Sequence, residues 1–171
     1  MEDERPVIKE VYTLGTMADR NCWDAASKAR SADKWCSATR DWGRATTDGL
    51  IAALDLRDDS LVLDLAAGSG DPALSIAQRA INGQVVALDS SSTGLFTARS
   101  EAGRLDILSR FQAVLADAHQ LPFMAATFDR VSCRCGIMFF DKPERALSET
   151  RRVLKPGGRA AFVAWGPFEQ P

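Results

Sequence analysis

A doubly wound α/β fold with a mostly parallel sheet is predicted by three features of this 171-residue sequence. From Leu61 onward, short apolar runs alternate with segments of helical apolar spacing. Turns rich in Gly, Pro, Asn and Asp punctuate them. One such turn, Gly68-Ser69-Gly70, stands between a strand and a helix, where open sheets of this kind bind ligands.

Taken in order, residues 1–56 carry no convincing strand. The texture from 18 to 56 reads as helices. Trp35 and Trp42 share a face if one helix holds both, and Leu50, Ile51 and Leu54 repeat that spacing. The segment is expected to form an N-terminal helical cap, with one domain over 57–171. Leu61 to Leu65 is the first strand. Asp71 then Pro72 predicts an N-cap followed by Pro at the first helical position. Ala73, Leu74, Ala77, Ala80 and Ile81 supply that helix's apolar stripe, and Asn82-Gly83 ends it.

Val85 to Leu88 is the second strand. A helix over 92–102 carries Leu95, Phe96, Ala98 and Ala102. Phe111 to Ala116 and Phe128 to Cys133 are the third and fourth strands. Asp141 and Glu144 have capping-box spacing and open a helix with Ala146, Leu147, Thr150, Val153 and Leu154 on one face. Lys155-Pro156-Gly157-Gly158 stops it, and Ala160 to Trp165 is the fifth strand.

Composition narrows the function. Lys and Arg number 21 against 23 Asp and Glu, a formal charge of −2, which argues against a protein living on nucleic-acid phosphates or acidic membrane. No apolar run is long enough to span a bilayer. The start, Met-Glu-Asp-Glu-Arg, does not read as a signal peptide. Four cysteines do not make a disulfide scaffold, so reduced thiols and a cytoplasmic location are expected.

The chemistry concentrates at strand ends. In Asp64-Leu65-Ala66-Ala67-Gly68-Ser69-Gly70-Asp71-Pro72-Ala73, a strand enters a small-residue turn and then a helix whose free N–H groups suit an anionic group. The stretch also satisfies the G-x-G-x-x-A form of a dinucleotide fingerprint, so a nicotinamide module is one reading and a tight turn without ligand is another. Asp89 ends the second strand, where a carboxylate can accept both hydroxyls of a ribose; the plain alternative is a surface Asp opening the next helix. After the third strand, Asp117 can accept from an exocyclic amino group while a neighbouring N–H donates to a ring nitrogen, which reads an adenine edge.

Together, LVLDLAAGSGDPAL, VVALDSS, ADAHQLPF, FDRVSCRCGIMFF and RRVLKPGGRAAFVAWGP, in this order over about 58–168, resemble the class I S-adenosylmethionine-dependent methyltransferases. They are similar to the ubiquinone/menaquinone-biosynthesis C-methyltransferase group. A carboxylate before the loop, Asp64, separates this pattern from the nicotinamide fingerprint. The resemblance implies a Rossmann-like sheet in the order 3-2-1-4-5. It implies S-adenosylmethionine as cofactor, with Asp64 organising the loop and receiving the methionine amino group. Ala66, Gly68 and Gly70 would line the methionine and sulfonium, Asp89 and Ser90 the ribose, and Asp117 and Ala118 the adenine. Cys135 and Gly136 would lie near the transferable methyl.

The sequence departs from that pattern in places. Ala66 replaces the usual first glycine of the loop. Gly94 stands where a methionine often packs by the adenine, and Leu95 is the residue that could compensate. Cys135 replaces a common aromatic. The family sheet ends in an antiparallel hairpin, whereas only Gly166 to Pro171 follow the fifth strand, so the reading is of a C-terminally truncated domain. Its fifth strand would be a bare edge, covered by a second copy or a partner chain.

The expected reaction is SN2 transfer of a methyl group to a small organic acceptor, driven largely by positioning and exclusion of water. Activity of the isolated chain is the weaker expectation. The alternative is a non-catalytic S-adenosylmethionine-binding or partner subunit completed by another chain. No catalytic base is assigned and no metal site is expected. His119, the sole histidine, reads as a solvated loop residue, and Arg151-Arg152 as a solvated helix face. Asp71 and Asp141 read as caps. Cys133 and Cys135, two apart with no second pair at zinc-site spacing, read as buried thiols. Met138-Phe139-Phe140 reads as burying the next helix rather than walling an acceptor pocket. Tyr12, Trp23 or Trp35 could line such a pocket.

Overall fold

The computed structural model describes residues 40–164. Its elements are helix α1 (Arg40–Leu54), strand β1 (Leu61–Leu65), α2 (Ala73–Arg79), β2 (Gln84–Asp89), α3 (Ser92–Arg104), β3 (Phe111–Leu115), β4 (Phe128–Arg134), α4 (Pro143–Val153) and β5 (Leu154–Val163). The strands form one sheet in the order β3-β2-β1-β4-β5, with each neighbouring pair parallel. Tyr12, Trp23, Trp35 and Trp165 lie outside the described residues.

Parallel strands covered on both faces read as continuous apolar runs, and this sheet shows why. Val62, Val85, Ala87 and Phe111 join one core with Leu50, Ile51 and Leu54 of α1, Ile76 and Ala77 of α2, and Leu95 and Ala98 of α3. Leu63, Leu65, Val86, Leu88, Val114 and Val131 join a second core with Ala146 and Val153 of α4 and the loop residues Leu121 and Phe123. Helix α1 lies against β4 and β5, and α3 against β2 and β3. The direction of travel reverses between β1 and β4, which opens a crevice at their carboxyl ends.

Several local expectations change. Pro72, not Asp71, occupies the N-cap of α2 and makes no side-chain cap. The N-cap of α4 is Lys142, also without a side-chain cap, so Asp141 does not close that end. Ile81, Phe96 and Leu147 are exposed rather than part of buried stripes. Ile81 lies past the end of α2, while Phe96 and Leu147 stand one residue off the buried rows Leu95-Ala98-Ala102 and Ala146-Thr150-Val153. Strand β5 begins at Leu154, directly after α4, and not at Ala160. Leu154 pairs with Phe128 and Arg159 with Arg130, so Lys155-Pro156-Gly157-Gly158 bulges out within the pairing instead of preceding it. Among the described residues β5 pairs only with β4.

Candidate functional site

Strand β1 delivers the first carboxylate. Asp64 is the penultimate residue of β1, in register with Ser132 of β4. It therefore sits inside the strand rather than at its tip, and it is fully buried. Ser132 Oγ donates to Oδ1 at 2.6 Å. Oδ2 has no hydrogen-bond partner among the described residues. Burial pushes the carboxyl from 3.8 up to about 7; the Ser132 hydrogen bond opposes this, the Asp71 charge adds to it and the Arg134 charge offsets it. A buried acceptor with no donor is costly, and a cationic donor would relieve both the desolvation and the raised pKa.

The loop after β1 follows. Ala66 (φ 55), Gly68 (φ 51) and Gly70 (φ 112) all have positive φ. Only glycine takes that region without strain, so Ala66 carries a local cost of about 1 kcal/mol. The loop is fixed from both sides. On the β2 side, the Gly68 N–H donates to Asp89 Oδ2 at 2.8 Å, and the Ser91 N–H donates to Oδ1 at 2.7 Å. On the β4 side, a Cβ at Gly136 would stand 2.3 Å from Ala66 Cβ, so only glycine lets the two loops touch.

The departure at Gly94 has a structural reason as well. A Cβ there would meet the Gly68 backbone at 2.9 Å, so α3 closes directly onto the loop. Leu95 does not compensate toward a ligand, because it is fully buried in the core beneath.

Asp117 follows β3 and is exposed. Its Oδ1 accepts the His119 N–H at 2.8 Å and contacts His119 Nδ1 at 2.6 Å. Partial burial works against ionisation, but these His119 contacts and the Arg145 charge outweigh it and hold the carboxyl below its ordinary range. His119 is not a solvated loop residue. Its side chain is 20% exposed, Phe140 meets its ring edge-on at 5.4 Å, and Arg145 Nε donates to its carbonyl at 2.9 Å. Ala118 turns its methyl into the second core, and Ser90 is exposed beside Asp89.

Cys135 directly follows β4. It has φ 57, and its N–H donates to the Val163 carbonyl at 2.7 Å. Burial raises its thiol, and it raises Cys133 more strongly, to about 12, so neither is a ready thiolate. The residues after β4 divide: Phe140 packs against the core that Ala146 and Val153 of α4 join, as expected, whereas Met138 and Phe139 are exposed, Phe139 at 65%. Among the described residues no cluster of His, Cys, Asp and Glu is arranged to hold a metal.

The sequence reading missed Arg134, Thr47 and Ser132. Arg134 ion-pairs with Asp71 at 2.6 Å, and Thr47 donates to the same carboxylate at 2.9 Å. Both hold Oδ2, while Oδ1 accepts the Ser75 hydroxyl from the first turn of α2 at 3.1 Å, so Asp71 contacts that helix without capping a backbone N–H. No sequence spacing signals a contact between α1 and β4.

Asp64 inside β1, Asp89 at the end of β2 and Asp117 just past β3 thus lie toward the carboxyl side of three neighbouring strands, and Asp89 holds the loop of left-handed residues that follows β1. Fold and loop define a methyltransferase domain, and the comparisons agree. The family profile described as a methyltransferase domain matches residues 63–162. The chain belongs to this family, whose methyl donor is S-adenosylmethionine.

Particular relatives are similar at greater detail. A ubiquinone/menaquinone biosynthesis C-methyltransferase of Rhizobium etli is 36% identical over 133 residues, covering 75% of this chain and 51% of the relative. A demethylmenaquinone methyltransferase of Thermus thermophilus is 41% identical over 126 residues, covering 74% and 54%. The crystal structure of an arsenic(III) S-adenosylmethionine methyltransferase from Chlamydomonas reinhardtii superposes with a TM-score of 0.56 at 30% identity, covering 60% of this chain and 38% of that one. The chain spans about half the length of the curated relatives it matches.

Proposed function

We propose that this chain binds S-adenosylmethionine in the crevice between β1 and β4 and serves methyl transfer to a small apolar organic acceptor. The observation that carries the reading is Asp64 Oδ2, fully buried and without a hydrogen-bond partner among the described residues, beside a loop of positive-φ residues. The amino group of the cofactor supplies the cationic donor that this oxygen lacks. A carboxylate offers about four acceptor positions. Two of those on Asp89 are taken by Gly68 and Ser91, which leaves roughly two for a ribose diol. Asp117 keeps Oδ2 outside its His119 contacts and remains ionised, as an acceptor for the adenine amino group must.

When bound, the cofactor supplies an activated methyl on a sulfonium. The residues of this chain hold and orient it. Ala66, Gly68 and Gly70 bring backbone close to the methionine portion, and Cys135 with Gly136 borders it from β4. No side chain is assigned as a base. Met138 and Phe139, exposed after β4, offer an apolar surface for the acceptor. Domain division follows the same reading, with residues 1–56 as a helical segment over a binding domain of 57–171.

Titration calorimetry with S-adenosylhomocysteine against NADH tests the cofactor. Micromolar binding of the first alone is expected, and preference for the second would overturn the reading. Transfer of labelled methyl to a panel of quinone-like acceptors tests the reaction. Asp89→Ala is expected to weaken S-adenosylhomocysteine binding by about 1.5–3 kcal/mol, since it removes charged hydrogen bonds. Unchanged affinity would remove Asp89 from the site.

A second reading is favoured by the single pairing of β5. Among the described residues β5 pairs with β4 alone, and a strand edge without a second neighbour is a template for another strand. On this reading the chain binds the cofactor and a second copy or partner covers β5. Light scattering is expected to give a dimer or larger species, and a monodisperse monomer active in methyl transfer would reject it.

A further inference from the structure

Three elements far apart in sequence meet on one guanidinium beside the site. Arg134, the last residue of β4, pairs through Nη1 with Asp71 Oδ2 at 2.6 Å. The same nitrogen donates to Thr47 Oγ1 at 3.0 Å and to the Gly43 carbonyl at 3.1 Å, both on α1. Thr47 in turn donates to Asp71 Oδ2 at 2.9 Å, which closes a triangle. Gly43 makes room for it, since a Cβ there would stand 3.2 Å from Nη1. Thr47 is buried, and the Arg134 side chain is only 22% exposed.

The position of each corner matters. Asp71 directly follows Gly70, so it ends the loop that lines the proposed cofactor site. Arg134 directly precedes Cys135 and Gly136 on its other wall. Both charges also act on Asp64. The loop is made of residues that tolerate many conformations, so its geometry depends on tethers from outside. Asp89 tethers one side through the Gly68 N–H, and Arg134 with Thr47 tethers the other through Asp71.

We propose that the Arg134–Asp71–Thr47 triangle is a positioning device that couples the seat of helix α1 to the cofactor loop. Seating of α1 against β4 and binding of the cofactor then favour each other by the same factor, as reciprocal linkage requires. The inference rests on the cofactor reading above. Arg134 and Thr47 touch neither the methyl nor the acceptor; they act through Asp71. Networks of this kind behave as units, because losing one member leaves another's charge or hydroxyl unpaired.

The test uses the full chain, S-adenosylhomocysteine as the probe, and the variants Thr47→Val, Arg134→Gln, Arg134→Lys and the Thr47→Val/Arg134→Gln double. Calorimetric Kd is measured beside melting temperature, and hydrogen exchange of the α1 amides is followed with and without saturating probe. Thr47→Val and Arg134→Gln are each expected to weaken binding roughly 5- to 50-fold. The double variant should lose far less than the product of the two. Arg134→Lys, which keeps the charge on Asp71, should fall between wild type and Arg134→Gln. The probe should slow α1 exchange in the wild type and not in Arg134→Gln.

Lower melting temperatures with unchanged Kd, multiplicative losses in the double, or α1 exchange indifferent to the probe would overturn the proposal alone. If Arg134→Gln fails to fold, Thr47→Val and the wild-type exchange experiment decide it. A wild type that does not bind the probe would overturn the cofactor reading and this inference together.

Discussion

Asp64→Asn is expected to melt higher than the wild type at pH 8 and to lose most of its affinity for S-adenosylhomocysteine. The carboxyl is raised from 3.8 to about 7 because it is fully buried. An acid whose folded pKa is raised favours folding while protonated. Wild-type stability is therefore greatest below the unfolded pKa, declines as pH rises toward about 7, and is flat above it. Three pH units at 1.36 kcal/mol each put the charge cost at about 4 kcal/mol. Asn removes the charge but leaves an amide N–H₂ unpaired, which costs about 1–3 kcal/mol.

The net gain of about 1–3 kcal/mol raises the melting temperature by several degrees for a domain of this size. It should shrink as pH falls from 7 toward the unfolded value of 3.8, below which Asp64 is neutral in both states. Thermal melts across that range check it, and parallel pH profiles for the two proteins would refute it. Binding offers an independent check. A cationic amino group placed at Oδ2 ionises Asp64, so binding near pH 7 should release protons and show a buffer-dependent enthalpy. Neither effect should survive in Asp64→Asn.

Gly136→Ala is the second large effect. The added methyl would lie 2.3 Å from Ala66 Cβ and 3.0 Å from Cys133 Sγ, well inside contact distance. The Gly136 backbone is ordinary at φ −85 and ψ −43, so the penalty is steric and not conformational. Overpacking of this kind costs about 1–3 kcal/mol. It should also push the Ala66 loop off its place and weaken cofactor binding.

Ala66→Gly should restore much of both losses. It deletes the opposing methyl and relaxes a residue held at φ 55. Chemical denaturation of the four proteins in a double-mutant cycle measures the coupling, and simple additivity would show that the two loops do not press on each other. The cycle also explains a feature of the sequence. Ala66 replaces the expected glycine because Gly136 leaves room for its methyl.

The five strands were legible because burial on both faces leaves no polar side to the middle of a parallel sheet. Leu61–Leu65 and the apolar run Val85 to Leu88 within Gln84–Asp89, both inside the sheet, therefore stand out. The carboxylates Asp64, Asp89 and Asp117 were legible as a set because each lies within or just beyond a strand end. Helix faces were read less well. One residue of rotation turned Phe96 and Leu147 to solvent, and a stripe of small residues does not fix that rotation.

Asp71 carried a strong cap signal, yet its side chain meets a hydroxyl of α2 and partners from β4 and α1 rather than a backbone N–H of α2. His119 looked solvated because nothing in its own loop announces Phe140 or Arg145, which arrive from beyond β4. Alternation of apolar runs and turns is local information, and it determined the fold class, the sheet and the glycine loop from the sequence alone. Which acceptor stays without a donor, which glycine admits which methyl and which carboxylate meets Arg134 were decided by tertiary structure. Those outcomes depend on side chains dozens of residues apart being brought within 3–4 Å, the range over which hydrogen bonds, ion pairs and steric contacts act.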